Sequence, residues 1–293
     1  MLSFAADVRR ELSQASEDSK GHMRAEGYGM LLGADVTADR IRLVTESIDV
    51  ATHFAKLMDK LCRASVEVSV SGVGYLAEVS EDITRTLDFF YVNPTAIARR
   101  LSRSNIEEEY CTASFLRGLF LACGYVTSPE KGYRLEFVTR HRQLSEDIAT
   151  LMRECDFFPS ISNRRGMRIV YFKSGDAVGR LLRNMGASAA ANAVETARDR
   201  RAVVNYVNRQ MNTDTANMYK SLAAAARQVE AITALRQRGS LEFLAEDLLE
   251  IALLREQNPD ATLGYLAELA GLPRSTLNRK LAKILDLAKP PKA

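Results

Sequence analysis

Two apolar helices with small residues one turn apart constrain the fold of this 293-residue chain more than any other feature. The stretch LRGLFLACGYVTSPEKGYRLEFV, residues 116–138, predicts such a helix followed by a turn and a strand. The stretch GYGMLLGADVTADRIRLVTES, residues 27–47, repeats that order and carries Gly29 and Gly33 four residues apart. The sequence therefore predicts an internal duplication.

The segments that follow the two helices keep one order. In the first half, IRLVTESI predicts a strand, DVATHFAKLMDKLC a helix, SVEVSVSGVGYLAEVS a hairpin and EDITRTLDFF a helix. In the second half, RLEFVTR, QLSEDIATLMREC, PSISNRRGMRIVYF and SGDAVGRLLRNMG predict the same series. Each half would bury its helices on one face of a small antiparallel sheet and leave the other face open. The predicted fold class is α+β, with two αββαββα halves over residues 1–100 and 101–190.

The C-terminal third has a different pattern. From Asn192 onward the strand alternation disappears and the sequence predicts helices, interrupted at Gly239 and at Asn258-Pro259. We expect a helical connector over residues 191–220 and an all-α domain over residues 221–293.

The segment ATLGYLAELAGLPRSTLNRKLAKILDLAK, residues 261–289, has the spacing of a helix-turn-helix. Thr262 can cap a short first helix, and Ala267 is small where a second helix must cross it. Gly271 can take the positive φ of a tight turn, and Pro273 suits the first turn of the second helix. The expected apolar face of the first helix consists of Leu263, Leu266 and Leu269 or Ala270.

The second helix of this motif carries an apolar face of Leu277, Leu281 and Ile284 and a polar face opposite. Such a helix lies in the major groove with its N-terminal residues at the base edges. Arginine suits guanine, asparagine suits adenine, and hydroxyl and lysine side chains suit phosphate. The predicted DNA-binding residues are Arg274, Ser275, Thr276, Asn278, Arg279, Lys280 and Lys283. A helical hairpin with a merely solvated basic face is the alternative.

The charge distribution agrees with a C-terminal nucleic-acid site. From Arg180 onward the chain has 17 Lys and Arg against 12 Asp and Glu, a net charge of +5, whereas the first 179 residues have a net charge of −2. This excess is compatible with nucleic acid as a partner but does not require it.

Other site classes have little support. The four cysteines contain no CxxC pair and the three histidines lie far apart, so we expect no metal site, disulfide framework or cofactor. No apolar run approaches the roughly 20 residues needed to cross a bilayer. The N-terminal MLSFAADVRRELSQ also lacks the apolar block of a signal peptide. We expect a cytoplasmic protein with no membrane partner.

The duplicated plan, entered through a helix of the type GLFLACG, resembles the LAGLIDADG homing endonuclease fold. The resemblance implies that the two helices pack side by side between the halves. The small residues at their contact would be Gly29 and Gly33 in one helix and Gly118 and Ala122 in the other.

The endonucleases place an acidic residue near the end of each helix, where the pair binds the divalent metal used in DNA cleavage. Ala34 and Cys123 stand at those two positions, and neither offers the oxygen ligands that a hard cation needs. Asp35 is one residue further along, but its counterpart in the second half is Gly124. We therefore expect no catalytic residues and no enzyme activity.

A LAGLIDADG-like region joined to a C-terminal helix-turn-helix is similar to the bacterial WhiA family over nearly the whole chain. The strings that carry the resemblance are FAADVRREL, LRGLFLACGYVTSPEKGYRLEF, NRQMNTDTANMYKSLAAAARQVEAI and LREQNPDATLGYLAELAGLPRSTLNRKLAKI. The resemblance implies a sequence-specific transcription regulator that binds promoter DNA in the nucleoid and is linked to sporulation, cell division or chromosome segregation. Some members act with a WhiB-like regulator.

Two other functions stay open at this point. One is a protein-interaction scaffold in cell division or chromosome segregation, and the other is an active metal-dependent DNA endonuclease. Because two halves supply pseudo-symmetry within one chain, we expect a monomer or a weak dimer.

The connector string NRQMNTDTANMYK is unusually rich in amides and charges. One interpretation is that Asn212, Thr213 or Asp214 caps the start of a further helix. The other is a polar surface that touches DNA phosphate or docks one domain on another. Its residues would be Asn208, Arg209, Asn212, Asn217 and Lys220.

Overall fold

The computed structural model describes residues 3–15, 19–72, 74–79, 81–106 and 111–289. Contacts divide the chain into two compact units, residues 1–201 and residues 202–293. The sequence predicts further domain boundaries at residues 100, 190 and 220, and these boundaries remain a proposal.

The first half of unit 1 follows an N-terminal helix, α1 (Phe4–Gln14). Its elements are α2 (Lys20–Gly33), β1 (Asp35–Val36), β2 (Ile41–Thr45), α3 (Ile48–Cys62), β3 (Val66–Ser71), β4 (Gly74–Val79) and α4 (Ile83–Phe89). The four strands form an antiparallel sheet in the order β1-β2-β4-β3. Val73, in the predicted hairpin turn, lies outside the described residues.

The second half repeats this architecture. Its elements are α5 (Cys111–Cys123), β5 (Gly124–Val126), β6 (Leu135–Thr139), α6 (Arg142–Glu154), β7 (Ser160–Arg164), β8 (Met167–Phe172) and α7 (Gly175–Met185). Its sheet has the equivalent order β5-β6-β8-β7 and is also antiparallel. The predicted α+β class with two αββαββα halves is therefore confirmed.

Alternating side chains give the sheet of the first half one buried face. In β2, Ile41, Leu43 and Thr45 are buried while Val44 between them is exposed. Because successive strand residues point to opposite faces, one face packs on the helices and the other stays open.

The two glycine-containing helices α2 and α5 pack directly against each other. A methyl group on Gly29 would collide with the carbonyl oxygen of Phe115, and one on Gly118 would collide with the carbonyl oxygen of Glu26. A methyl group on Gly33 would likewise overlap the Ala122 side chain. The predicted close contact of these small residues is confirmed, because only a missing side chain lets the backbones approach so closely.

The connector is part of one continuous helix of 50 residues, α8 (Ser188–Gln237). The interpretation that Asn212, Thr213 or Asp214 starts a new helix is therefore wrong. The Thr213 hydroxyl donates a 2.9 Å hydrogen bond to the carbonyl of Arg209, four residues back. This bond satisfies the hydroxyl inside the helix, so it does not act as a cap.

The C-terminal part of unit 2 contains three further helices: α9 (Glu246–Gln257), α10 (Leu263–Leu269) and α11 (Arg274–Leu287). As predicted, α8 ends before Gly239, which has a φ of 65°, and α9 ends before Asn258. The core of this unit consists of Ile232, Leu235, Leu241, Leu248, Ile251, Ala252, Leu266, Ala267, Leu277, Leu281 and Ile284. None of the described helices is both long and apolar enough to cross a membrane.

Candidate nucleic-acid interface

α10 and the turn after it are built by local chemistry. The Thr262 hydroxyl accepts a 3.3 Å hydrogen bond from the backbone N–H of Tyr265, which caps α10 as predicted. Gly271 has a φ of 60°, a conformation that costs glycine little. Leu266 and Ala267 are buried, but Leu269 is 47% exposed. Of the two expected alternatives, Ala270 packs on the core and Leu269 does not.

α11 packs on the core of unit 2 with its predicted apolar face inward. Leu277, Leu281 and Ile284 are almost fully buried. Pro273 occupies the N-cap position, one residue before the first helical turn in which it was expected. Its φ of −58° is the value that the proline ring imposes, so it still sets the entry of the chain into the helix.

The face of α11 opposite the core carries the predicted DNA-binding residues. Arg274, Ser275, Asn278, Arg279 and Lys283 are exposed, and Thr276 and Lys280 are partly buried. Within the described part of the chain, neither Arg274 nor Arg279 forms an ion pair or a side-chain hydrogen bond. Both guanidinium groups are therefore available to an external acceptor.

Lys280 already has a partner inside the unit. Its ammonium lies 2.7 Å from an Asp247 carboxylate oxygen and 3.4 Å from the Asp247 carbonyl oxygen. The hydrogen bond from Lys280 lowers the pKa of the Asp247 carboxyl group. Lys280 thus ties α11 to the first turn of α9 and must leave this pair, or share it, to contact phosphate.

Two arginines that the sequence did not single out support the motif. Arg255, only 2% exposed, donates to the carbonyls of Ala261 (2.7 Å) and Asn258 (3.3 Å) and so fixes the segment before α10. Burial lowers the pKa of its guanidinium group. Arg238 donates a 2.9 Å hydrogen bond to the carbonyl of Ala288 at the end of α11. In the sequence, an arginine that donates to a distant backbone carbonyl looks the same as an arginine on the surface. Sequence patterns therefore could not have indicated these two roles.

The exposed middle of α8 has two distinct faces. Residues 202–220 are all exposed. At 3.6 residues per turn, the predicted contact residues Asn208, Arg209, Asn212, Asn217 and Lys220 share one side. The other side carries the large aliphatic side chains, with Asp214 and Thr215 among them: Val203, Val204, Val207, Met211, Met218 and Leu222.

The two positions that the sequence resemblance assigns to the metal-binding acids of the endonucleases carry no carboxylate. Ala34, directly after α2, is buried. Cys123 ends α5, its thiol donates to the carbonyl of Leu119 (3.3 Å), and burial raises its pKa to about 12. Asp35 pairs with Arg40 at 3.3 Å, and Gly124 begins β5. Among the described residues, no three His, Cys, Asp or Glu side chains gather in a metal-binding group.

Comparison with known proteins gives consistent matches to both units. Residues 112–204 match the WhiA LAGLIDADG-like domain, and residues 207–288 match the WhiA C-terminal HTH domain. The chain is similar to the "Probable cell division protein WhiA" of Alkaliphilus metalliredigens, with 30% identity over 315 residues and 98% of both chains covered. The relative of that name from Alkaliphilus oremlandii is 33% identical over 311 residues, covering 98% of this chain and 97% of its own.

The fold also matches a solved structure along its length. The crystal structure of full-length DUF199/WhiA from Thermatoga maritima aligns with a TM-score of 0.60 and 25% sequence identity. The alignment covers 98% of each chain.

Proposed function

This chain belongs to the WhiA family, and on that premise we propose that it is a sequence-specific DNA-binding regulator of transcription. The observation that carries the proposal is the face of α11, where Arg274 and Arg279 stand exposed and unpaired among the described residues, beside Asn278. The opposite side of α11 is buried in the core of unit 2, and this packing holds the exposed face in place.

The residue types on this face match the donor and acceptor pattern of the major groove. Arginine donates two hydrogen bonds to guanine, and asparagine pairs with both adenine edge atoms. We assign Arg274, Asn278 and Arg279 to base edges. Ser275 and Thr276, near the N-terminus of α11, are assigned to phosphate oxygens.

Lysines and the connector supply contacts that are independent of sequence. Lys283 is exposed on α11, and Lys280 joins it when released from Asp247. The polar side of α8, with Asn208, Arg209, Asn212, Asn217 and Lys220, adds a second surface for phosphate or for interdomain docking. Such contacts make affinity fall steeply with salt.

The LAGLIDADG-like domain, on this proposal, does not cleave DNA. Neither Ala34 nor Cys123 offers the oxygen ligands that a hard divalent cation needs. Among the described residues at or directly after these two positions, Asp35 is the single carboxylate, and it pairs with Arg40. Supercoiled plasmid incubated with magnesium or manganese should stay intact. Nicking that EDTA abolishes would restore the endonuclease alternative.

The wider role follows the family. We place the protein at promoters in the cytoplasmic nucleoid, as a monomer or weak dimer, in the control of sporulation, cell division or chromosome segregation. A WhiB-like regulator is the proposed protein partner.

The decisive experiment is the double variant Arg274→Ala with Arg279→Ala, titrated on a selected target duplex and on a random one. Each lost base contact should cost on the order of 1–3 kcal/mol and reduce the preference for the target. Arg142→Ala with Arg153→Ala, on α6, removes the same charge from exposed positions and is the matched control. Equal affinity and equal preference for the double variant and the control would disprove the assignment.

A protein-interaction scaffold is the second candidate, and the aliphatic side of α8 favours it. Six large apolar side chains on one exposed helix face are typical of a surface that another protein covers. In a strain lacking the chromosomal gene, the scaffold function predicts that Arg274→Ala with Arg279→Ala complements the division phenotype and Met211→Lys with Met218→Lys does not. Regulation through DNA predicts that the α11 variant fails.

A further inference from the structure

A cavity of about 410 Å³ opens in unit 1 at the end of α2, beside Ala34. Its wall combines residues from both halves, including Val44 of β2 and Val138 of β6. In the endonuclease fold this is the neighbourhood of the metal-binding acids, which the chain lacks. The cavity is therefore a part of the fold that the proposed DNA contacts of α11 do not use.

The charge of the cavity wall is the reverse of a metal site. Arg42, Arg99, Arg140 and His141 line it, and Asp35 is the single acid among the lining residues. Asp35 is itself paired with Arg40 at 3.3 Å. The wall thus carries three guanidinium groups and an imidazole against one carboxylate that is already engaged.

The donors of these side chains are only partly used. Arg99 gives one hydrogen bond, of 3.1 Å, to the carbonyl of Val36. Arg42 pairs with Glu78 at 2.7 Å through its Nε atom. Arg140 has no ion pair or side-chain hydrogen bond with any described residue. Most of the guanidinium N–H groups at the cavity are therefore free to bind an acceptor.

The cations also act on one another. Burial lowers the pKa of His141, and the positive charges of Arg99 and Arg140 lower it further. Burial likewise lowers the pKa of Arg99. Like charges held this close destabilise one another, and a bound anion would relieve the repulsion.

We propose that this cavity binds the phosphate groups of a small phosphorylated ligand, for which pyrophosphate and ATP are the probes. Its volume lies in the range of small-molecule sites, roughly 300–1,000 Å³. Guanidinium forks match phosphate oxygens in geometry and charge. The aliphatic side chains of Leu32, Leu43 and Val138 in the same wall suit the less polar part of such a ligand. A phosphate group of the DNA backbone has the same chemistry as the phosphate of a small ligand. The experiment below distinguishes a small ligand from DNA.

The test uses the full-length protein with labelled histidine side chains, whose three imidazoles are followed by NMR. Pyrophosphate, ATP and a short DNA duplex are titrated separately. A saturable shift of the His141 resonances with pyrophosphate and ATP is expected, together with a rise in the pKa of His141. The His22 and His53 resonances, which belong to residues outside the cavity wall, should not move.

Arg140→Gln should weaken pyrophosphate binding about tenfold, since one charged donor pair is lost. Because Arg140 is exposed, this variant should fold as the parent does. Arg103→Gln, at an exposed arginine paired with Glu154 and absent from the cavity wall, is the control and should bind normally.

No saturable response to pyrophosphate or ATP at millimolar concentration would overturn the proposal. A response to the duplex alone would also overturn it, because the source would then be DNA backbone. Arg274→Ala with Arg279→Ala should retain the response, which separates a failure of this site from a failure of DNA recognition by α11.

Discussion

Arg117 of α5 donates a 2.9 Å hydrogen bond to the buried carboxylate of Glu26 in α2. His53 of α3 donates to the other oxygen of the same carboxylate at 2.7 Å. Arg117 also reaches the carbonyl of Met185 at the end of α7, at 3.3 Å. One buried carboxylate and one buried guanidinium therefore connect four helices of unit 1.

Replacing Arg117 with Met should destabilise unit 1 by about 3–5 kcal/mol, because the Glu26 carboxylate would remain buried without its main partner. The loss should appear as a lower midpoint in urea unfolding. Arg103→Ala, which removes an exposed ion pair with Glu154, is the control and should cost no more than about 1 kcal/mol. A loss below that of the control would show that the buried pair contributes nothing to stability.

The same carboxylate should make stability fall in acid. Burial opposes ionisation of Glu26, but the hydrogen bonds from His53 and Arg117 outweigh it, so its pKa is lowered. The folded carboxylate then takes up its proton at lower pH than the unfolded one, whose pKa is about 4.3. Its stabilising contribution is complete above that value and is lost as the pH falls through the folded pKa.

Urea midpoints measured between neutral pH and pH about 3 should therefore fall more steeply for the parent than for Glu26→Gln, which cannot titrate there. Glu154→Gln, at an exposed glutamate, should follow the parent curve and serves as the control. Identical slopes for the parent and Glu26→Gln would contradict the prediction.

Gly118→Ala should disrupt the α2–α5 contact, since the new methyl group would overlap the Glu26 carbonyl. Overpacking of this kind costs about 1–3 kcal/mol, and backbone atoms cannot rotate away as a side chain can. Gly179→Ala, in α7, is the matched control, because its methyl group would meet its nearest atoms at an ordinary 3.7 Å.

The control should be neutral or stabilising by up to about 1 kcal/mol, the usual gain of alanine over glycine in a helix. Thermal unfolding of the two variants measures the difference. Equal midpoints for both would mean that α2 and α5 are not in close contact in solution.

Asp247→Asn should release Lys280 from its ion pair. If Lys280 then binds phosphate, affinity for any duplex should rise modestly, and the slope of log K against log salt should steepen by about 0.9. Glu250→Gln removes one negative charge from the same helix and serves as the control, because exposed Glu250 forms no ion pair with α11 among the described residues. An unchanged slope in Asp247→Asn would exclude Lys280 from the phosphate contacts.

The order of elements in both halves and the helix-turn-helix were predictable because they depend on local patterns. Three examples are the alternation in Ile41–Thr45, the small residues Gly29 and Gly118, and the Thr262 cap. Each pattern lies within a few residues of sequence, and the structure contains the strand, the close helix contact and the helix start that it predicts. The fold class implied two strands after the first helix of each half, but the position of the shorter strand escaped prediction. β1 has two residues, which is too few to show a period.

The continuity of α8 was also not predictable, because Asn, Thr and Asp are frequent at helix starts and the sequence alone does not exclude a break at Asn212. The exposure of Leu269 was not predictable either. Helical spacing allows Leu269 or Ala270 on the apolar face, and the packing of α11 decides that Ala270 is the one covered.

The sequence by itself determined the repeat, the secondary-structure order and the residue types presented by α11, because periodicity and capping act over a few residues. Only the tertiary structure decided which charges are buried or paired. Glu26 and Arg117 are 91 residues apart, and the cavity at Ala34 collects arginines from segments just as distant. Such contacts depend on how helices and sheets pack, and short-range patterns do not contain that information.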